Sequence, residues 1–273
     1  MVKIKIKALI VFTMGVIIFS FTITSCATAH HIPDDIEIFK LIYGNNVSIQ
    51  ESGDEKFVYI EEELSPIERE QFNYASQIIT RIVRKIKGWD QDSNKILVLT
   101  QSGPPSCCDR SQVPVLGGVV LVSTGDTWQV ESFRKLITPF GGIESLEALT
   151  IEVIAPQKTV LVLSDAMVRD SVVQTWDLLI AEIQGNLKLI ARIETGANNL
   201  DSCSVPAENE QCWSYSAAYE FVPCDNLDDE IICEFCDIVI TTVGTKIIEG
   251  ELVSFEDTSR LVYTNGEYRS EGH

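Results

Sequence analysis

Histidine is almost missing from this chain of 273 residues: only His30, His31 and His273 occur. All three fall at the ends of what remains once a leader is removed. A Ser-His-Asp triad or a Cys-His pair needs a histidine held in the body of the fold, and so does a zinc site built on imidazoles. The chain also lacks a Gly-x-Ser-x-Gly elbow and a glycine-rich phosphate loop ending in Lys-Ser or Lys-Thr, so neither a hydrolase elbow nor a nucleotide cradle is expected. Positive charge is scarce too. Lys and Arg total 21 against 40 Asp and Glu, a formal net charge of −19. Phosphate binding needs clustered cations, so nucleic acid is excluded as a partner, and the acidic balance serves solubility. No motif calls for a cofactor or a metal.

What is present begins with a targeting pattern. Lys3, Lys5 and Lys7 form a basic segment, and residues 8–23 are an uncharged, mostly apolar run. That run is short for a spanning helix, which needs ~20 residues, and it fits the n-region and h-region of a secretory signal. Ile23-Thr24-Ser25-Cys26 follows. It resembles the bacterial lipobox, which implies cleavage before Cys26 and lipidation of its thiol. Ala27 rather than Asp follows Cys26, which by the same resemblance implies the outer membrane if the cell has one. Cleavage after Ala27-Thr28-Ala29 would instead release a secreted or periplasmic protein, and an uncleaved anchor is the third reading. The expected organisation is a signal peptide over 1–25 and a tether over 26–34. An N-terminal mixed α/β region over 35–110 and an antiparallel β region over 111–270 then form one compact unit. The expected partners are the membrane, through a lipid anchor, and an envelope protein or glycan.

The cysteines agree with export, where thiols usually pair. Seven follow Cys26: Cys107, Cys108, Cys203, Cys212, Cys224, Cys233 and Cys236. An odd number leaves at least one free or paired between chains. Cys203 with Cys212 would close one loop, and Cys224 with Cys233 or Cys236 would staple the next hairpin. Adjacent Cys107 and Cys108 have the wrong geometry for an unstrained bridge. Metal binding through Cys233 and Cys236 is the rival reading, but a thiolate zinc site needs a second such pair or histidines. The loop over 103–113, with Pro104, Pro105, Cys107 and Cys108, is the candidate exposed functional loop.

Along the chain, residues 35–43 have the pattern of a short helix starting at Asp34 or Asp35 and ending at Gly44. Ser65-Pro66-Ile67-Glu68 is a capping-box pattern, and apolar positions from Phe72 to Ile86 at helical spacing predict a helix over 66–86 stopped by Gly88. On it Arg81, Arg84, Lys85 and Lys87 would make a solvated basic face. From Lys95 onward short apolar or alternating runs are separated by turn signals, among them Gly125-Asp126, Gln184-Gly185 and Asn265-Gly266. The fold class expected is mainly β with a helical N-terminal third, the β part an antiparallel sandwich or barrel or a set of partial propeller-like blades.

Leu116-Gly117-Gly118, Thr127-Trp128-Gln129-Val130, Pro139-Phe140-Gly141-Gly142, Thr241-Thr242-Val243-Gly244-Thr245 and Asn265-Gly266-Glu267-Tyr268 occur in this order. In this the chain resembles a loose group of uncharacterised exported bacterial proteins, mostly β, and is similar to FG-GAP-type propeller blades. The resemblance implies a location and a fold class and no activity.

Carboxylates are the remaining candidates for chemistry. Glu61, Glu62 and Glu63 cluster, as do Asp228, Asp229 and Glu230; such runs are usually solvated. Asp90-Gln91-Asp92-Ser93-Asn94 resembles the opening of a calcium loop, but Lys95 stands where that loop needs Gly, and Gln101 where it needs Glu. The expected function is a non-catalytic binding or structural module of the envelope. The alternatives are a carboxylate-based hydrolase of envelope polysaccharide, which needs two acids converging in a cleft, and a calcium-stabilised secreted β protein.

Overall fold

The computed structural model describes residues 31–45, 47–52, 55–60, 78–104, 114–140, 149–155, 158–200, 211–223 and 235–271. Of the two units into which the chain falls, Met1–His31 and Ile32–His273, the second holds every element described. Its one α-helix among the described residues is α1 (Asp35–Tyr43). Asp34 caps it: Glu37 N–H donates to Asp34 Oδ1 at 2.8 Å and Asp34 N–H donates to Glu37 Oε2 at 2.9 Å. The remainder is two antiparallel meanders. The first sheet runs in chain order through β1 (Ile49–Ser52), β2 (Glu55–Ile60), β3 (Ile78–Lys87), β4 (Lys95–Gly103), β5 (Val115–Thr124) and β6 (Thr127–Pro139). The second runs through β7 (Thr150–Ala155), β8 (Lys158–Arg169), β9 (Val172–Ile183), β10 (Asn186–Asn198), β11 (Ser214–Val222), β12 (Asp237–Ile248), β13 (Glu251–Thr264) and β14 (Glu267–Ser270).

Four strands are apolar on both faces, and this sets the layering. Leu97 and Leu99 of β4 and Leu116 and Val120 of β5 meet Leu161, Leu163, Leu178 and Ile180 of β8 and β9 in one core between the sheets. Ile96, Val98, Val119 and Leu121 point the other way and pack against Ile38 of α1. Val160, Val162, Leu179, Ala181 and Ile183 also turn away from the shared core. They meet Ile190, Ile193, Phe235 and Ile238 in a third layer enclosed by the second sheet. Each fully buried aliphatic side chain contributes about 1.5–3 kcal/mol, so the continuous apolar runs reflect strands buried on both sides.

The second sheet is split. β10 pairs with β9 along its length, from Asn186↔Ile183 to Asn198↔Val173, but with β11 only at Gly196, Ala197 and Asn198. Bulges at Leu189/Ala191 and Glu194/Gly196 turn β10 away. Beyond the split, two tyrosines of β11 reach back across it. Tyr219 Oη donates to Asp177 Oδ2 at 2.9 Å and Tyr215 Oη donates to a Glu194 carboxylate oxygen. Burial, then the carboxylate beside each hydroxyl, push Tyr215 up to about 12 and Tyr219 further still.

The helical N-terminal third is not what the chain builds. Residues 78–87, the second half of the expected helix, are strand β3; residues 61–77, with the capping-box pattern, lie outside the described residues. Ile-Ile-Thr-Arg-Ile-Val-Arg-Lys-Ile-Lys is rich in β-branched residues, and a bulge between Ile82 and Arg84 shifts its alternation so that the apolar positions mimic a helical period. Pairing with β4 from Ile79↔Gly103 to Lys87↔Ile96 decides the outcome. The expected basic helix face is broken up accordingly: Arg81 Nε donates to Gln101 Oε1 at 2.9 Å, and Lys85 Nζ lies 2.7 Å from Asp35 Oδ1. Continuous meanders of six and eight strands also replace the expected blades.

Candidate functional site

Two places gather chemistry. The first follows from the split. As β11 leaves β10, the start of β10 faces β6 of the first sheet on one side and the β13–β14 turn on the other, and a cleft of about 410 Å³ opens between them. Its floor is apolar: Leu187 is fully buried, and Leu189 and Ile137 are half-buried. Its rim carries Arg134 of β6 and Lys188 of β10, both exposed, with Asn186, Asn265 and Gly266. Arg134 is steadied by a hydrogen bond from Nε to Leu136 O at 3.2 Å. Glu267 also lines the cleft, but its Oε1 accepts from Arg269 Nε at 2.9 Å, so its charge is locally matched. An apolar floor of this volume with a few placed polar groups is the usual make-up of a small-ligand site.

The second place is the seam between the sheets. Trp89 and Asp90 belong to a single 3-10 turn (Trp89–Gln91) between β3 and β4, with Asp90 at φ +52°. Asp90 Oδ1 accepts from Thr159 N–H of β8 at 3.1 Å. Lys95 of β4 holds Glu131 of β6 at 2.6 Å and Glu182 of β9 at 3.8 Å. One ammonium thus ties the two sheets through two carboxylates, with a third, Asp90, close enough to act on it. Glu182 is 9% exposed, and its Oε2 closes no hydrogen bond. Burial pushes the Glu182 and Asp90 carboxyls above their usual range, and Lys95 only partly offsets this. Burial works against the charged form of Lys95, but Glu131, Glu182 and Asp90 together outweigh it and hold its pKa above the ordinary lysine value. Of this cluster Glu182 is buried, Asp90 and Lys95 are half-buried and Glu131 is exposed.

The sequence-derived candidates fare unevenly. Cys26, Pro105, Cys107, Cys108, Cys203, Cys224 and Cys233 lie outside the described residues, as do the two acidic runs at 61–63 and 228–230. Pro104, directly after β4, is buried. Cys212 is disulfide-bonded. Cys236, expected as a disulfide candidate, is a free thiol. It is half-buried at the foot of β12, its carbonyl accepting from Tyr268 Oη at 2.6 Å, and burial followed by Asp237 pushes its pKa up. Among the described residues no group of three or more His, Cys, Asp or Glu is placed to hold a metal ion. The calcium-like run is a turn in which Asp92 Oδ1 accepts from Asn94 N–H at 2.9 Å, while Asp90 serves Thr159. No sequence motif marks Arg134, Lys188, Lys95, Glu131 or Glu182, because they lie on four different strands and meet only through the fold.

No protein-family model, no curated protein and no solved structure matches the chain.

Proposed function

We propose that the chain is an exported envelope protein, acylated at Cys26, that acts as a binding module, and that its ligand is an anionic amphiphile held in the cleft between β6, β10 and the β13–β14 turn. One observation carries this reading. In a chain of net charge −19, two cations, Arg134 and Lys188, stand at the rim of a cleft floored by Ile137, Leu187 and Leu189. An acyl or aryl body would cover the floor, and a carboxylate or phosphate head would meet the cations. The lipobox-like Ile23-Thr24-Ser25-Cys26 supports the location.

Titration of a fluorescent long-chain fatty acid tests the cleft. Saturable binding is expected, and the double variant Arg134→Glu, Lys188→Glu should weaken it by about tenfold or more, equivalent to ~1.4 kcal/mol. The alcohol of the same chain length should bind more weakly than the acid. Equal binding of acid and alcohol, or indifference to charge reversal, would sink the anionic-head assignment. The anchor is tested separately. In bacteria fed labelled palmitate, the protein should carry label that Cys26→Ser removes; an unlabelled mature chain starting at His30 would identify a free secreted protein instead.

A further inference from the structure

The last long strand offers a second interaction surface, independent of the cleft. β13 is fourteen residues long, and β12 pairs with its inner side from Glu251 to Leu261. On its outer side β14 pairs only with Leu261, Val262, Tyr263 and Thr264, and Arg260 O accepts from Glu271 N–H. Among the described residues no strand pairs with the outer side of 251–259, and every residue there but Phe255 is exposed. Such an edge is a ready template for another strand. Natural edges are blunted by charge, bulges or proline; this one carries only acids, Glu251, Glu256 and Asp257.

The pattern along the edge is directional. Alternation puts Leu252 and Glu256 on one face and Val253 and Asp257 on the other. On either face an added strand therefore meets an aliphatic side chain and, four positions on, a carboxylate. Leu252 is 47% and Val253 39% exposed, and with Ile247, which pairs with Leu252 across the ladder, they leave apolar surface open beside the free edge. We propose that this edge docks an extended segment of a partner protein by strand addition, and that the segment carries an aliphatic pair and, four residues away, a basic pair.

A second copy of the chain fits poorly. Antiparallel self-pairing centred near Ser254 and Phe255 sets Leu252 and Val253 against Asp257 and Glu256; shifted towards 256–257 it sets acid on acid, and parallel in-register pairing stacks like charges. A membrane fits no better, because Glu249 and Glu251 flank the tip of the β12–β13 hairpin and would enter the bilayer first.

The test uses the full chain and a nine-residue synthetic peptide with a valine pair and, four positions on, a lysine pair. Its twin has glutamates for the lysines. The lysine peptide should slow amide hydrogen exchange and shift amide signals over 251–259, and the glutamate twin should not. Glu256→Lys with Asp257→Lys should weaken the lysine peptide at least tenfold and admit the twin; both positions are exposed, so an unchanged melting temperature is expected. Leu252→Ser should weaken the lysine peptide on the otherwise unchanged chain and the twin on the charge-reversed one. No protection of 251–259 at millimolar peptide, protection insensitive to charge reversal, or protection that instead follows protein concentration through dimerisation would each overturn the proposal.

Discussion

Lys95→Met should lower the unfolding free energy by about 3–5 kcal/mol, the usual cost of removing one partner of a buried pair. Lys95 is the cation within reach of Glu182, at 3.8 Å, and it also holds Glu131 at 2.6 Å. Glu182 lies 9% exposed between β9 and the turn that bears Trp89, and Trp89 Nε1 faces it without closing a hydrogen bond. Without the ammonium, Glu182 must either stay charged in an apolar wall or take up a proton. The double variant Lys95→Met, Glu182→Leu should recover most of the loss, because an apolar pair of similar size commonly replaces a buried ion pair at little cost. Denaturant unfolding of wild type and the two variants measures this; a loss under ~1 kcal/mol for Lys95→Met would show that solvent reaches the seam.

The same cluster fixes the sign of a pH dependence. The Glu182 and Asp90 carboxyls sit above their ordinary values of 4.5 and 3.8. In the window between the ordinary and the raised value the folded chain binds more protons than the unfolded one, so their contribution to stability falls as pH rises and is regained on acidification. Lys95 is displaced upward from 10.5, so its contribution is intact through neutrality and is lost only as pH climbs through its folded value. In Lys95→Met the Glu182 carboxyl loses its main compensation. That variant should gain more stability than wild type between pH 7 and pH 5.

Much of the strand pattern was legible because burial on two faces leaves a local mark. Residues 96–99, 119–122, 160–163 and 178–181 are uninterrupted or nearly uninterrupted apolar runs, and each feeds two cores. Gln184-Gly185 and Asn265-Gly266 have positive φ at both residues, as their composition suggested. Ile79, Ile82, Val83 and Ile86 stand at helical spacing in the sequence, and the bulge between Ile82 and Arg84 lets a strand carry that spacing; only pairing with β4, a long-range event, resolves the ambiguity. Asp170-Ser171 also takes positive φ at both positions, yet its residues carry no glycine signal. The candidate sites were less legible still. Arg134 and Lys188 lie on different sheets, and Asp90, Lys95, Glu131 and Glu182 come from a turn and three strands. What joins them is the stacking of two meanders and the parting of β10 from β11, and neither has a short-range signature.

Gly117→Ala should cost about 3 kcal/mol, and Gly118→Ala distinctly less. The two glycines are adjacent on β5 where its register with β6 slips between Leu116 and Gly118. A methyl group at Gly117 would lie 2.3 Å from Lys135 O, 2.6 Å from Thr100 Oγ1 and 3.0 Å from Arg134 O. Two of the three are main-chain oxygens of β6, and β5 is pinned between β4 and β6 by ladders on both sides. Relief therefore requires the β5–β6 bulge to reopen, at the upper end of the 1–3 kcal/mol typical of overpacking. At Gly118 the closest atom is Leu187 Cδ1, 2.9 Å away, the far end of a side chain that can turn. For a domain of this size the Gly117→Ala loss corresponds to a melting temperature lower by roughly 6–12 °C. Thr100→Ala added to Gly117→Ala should recover only a part, since it removes one of the three contacts, whereas Leu187→Val added to Gly118→Ala should recover nearly all. Equal losses for the two glycines would mean that β6 yields as easily as a leucine methyl, and the rigidity argued for the first sheet would fail. Arg134 rises from the same stretch of β6 to the cleft rim, so Gly117→Ala should also weaken fatty-acid binding, while Gly118→Ala meets the cleft at the side-chain ends of its floor residues Leu187 and Ile137 and should weaken it less.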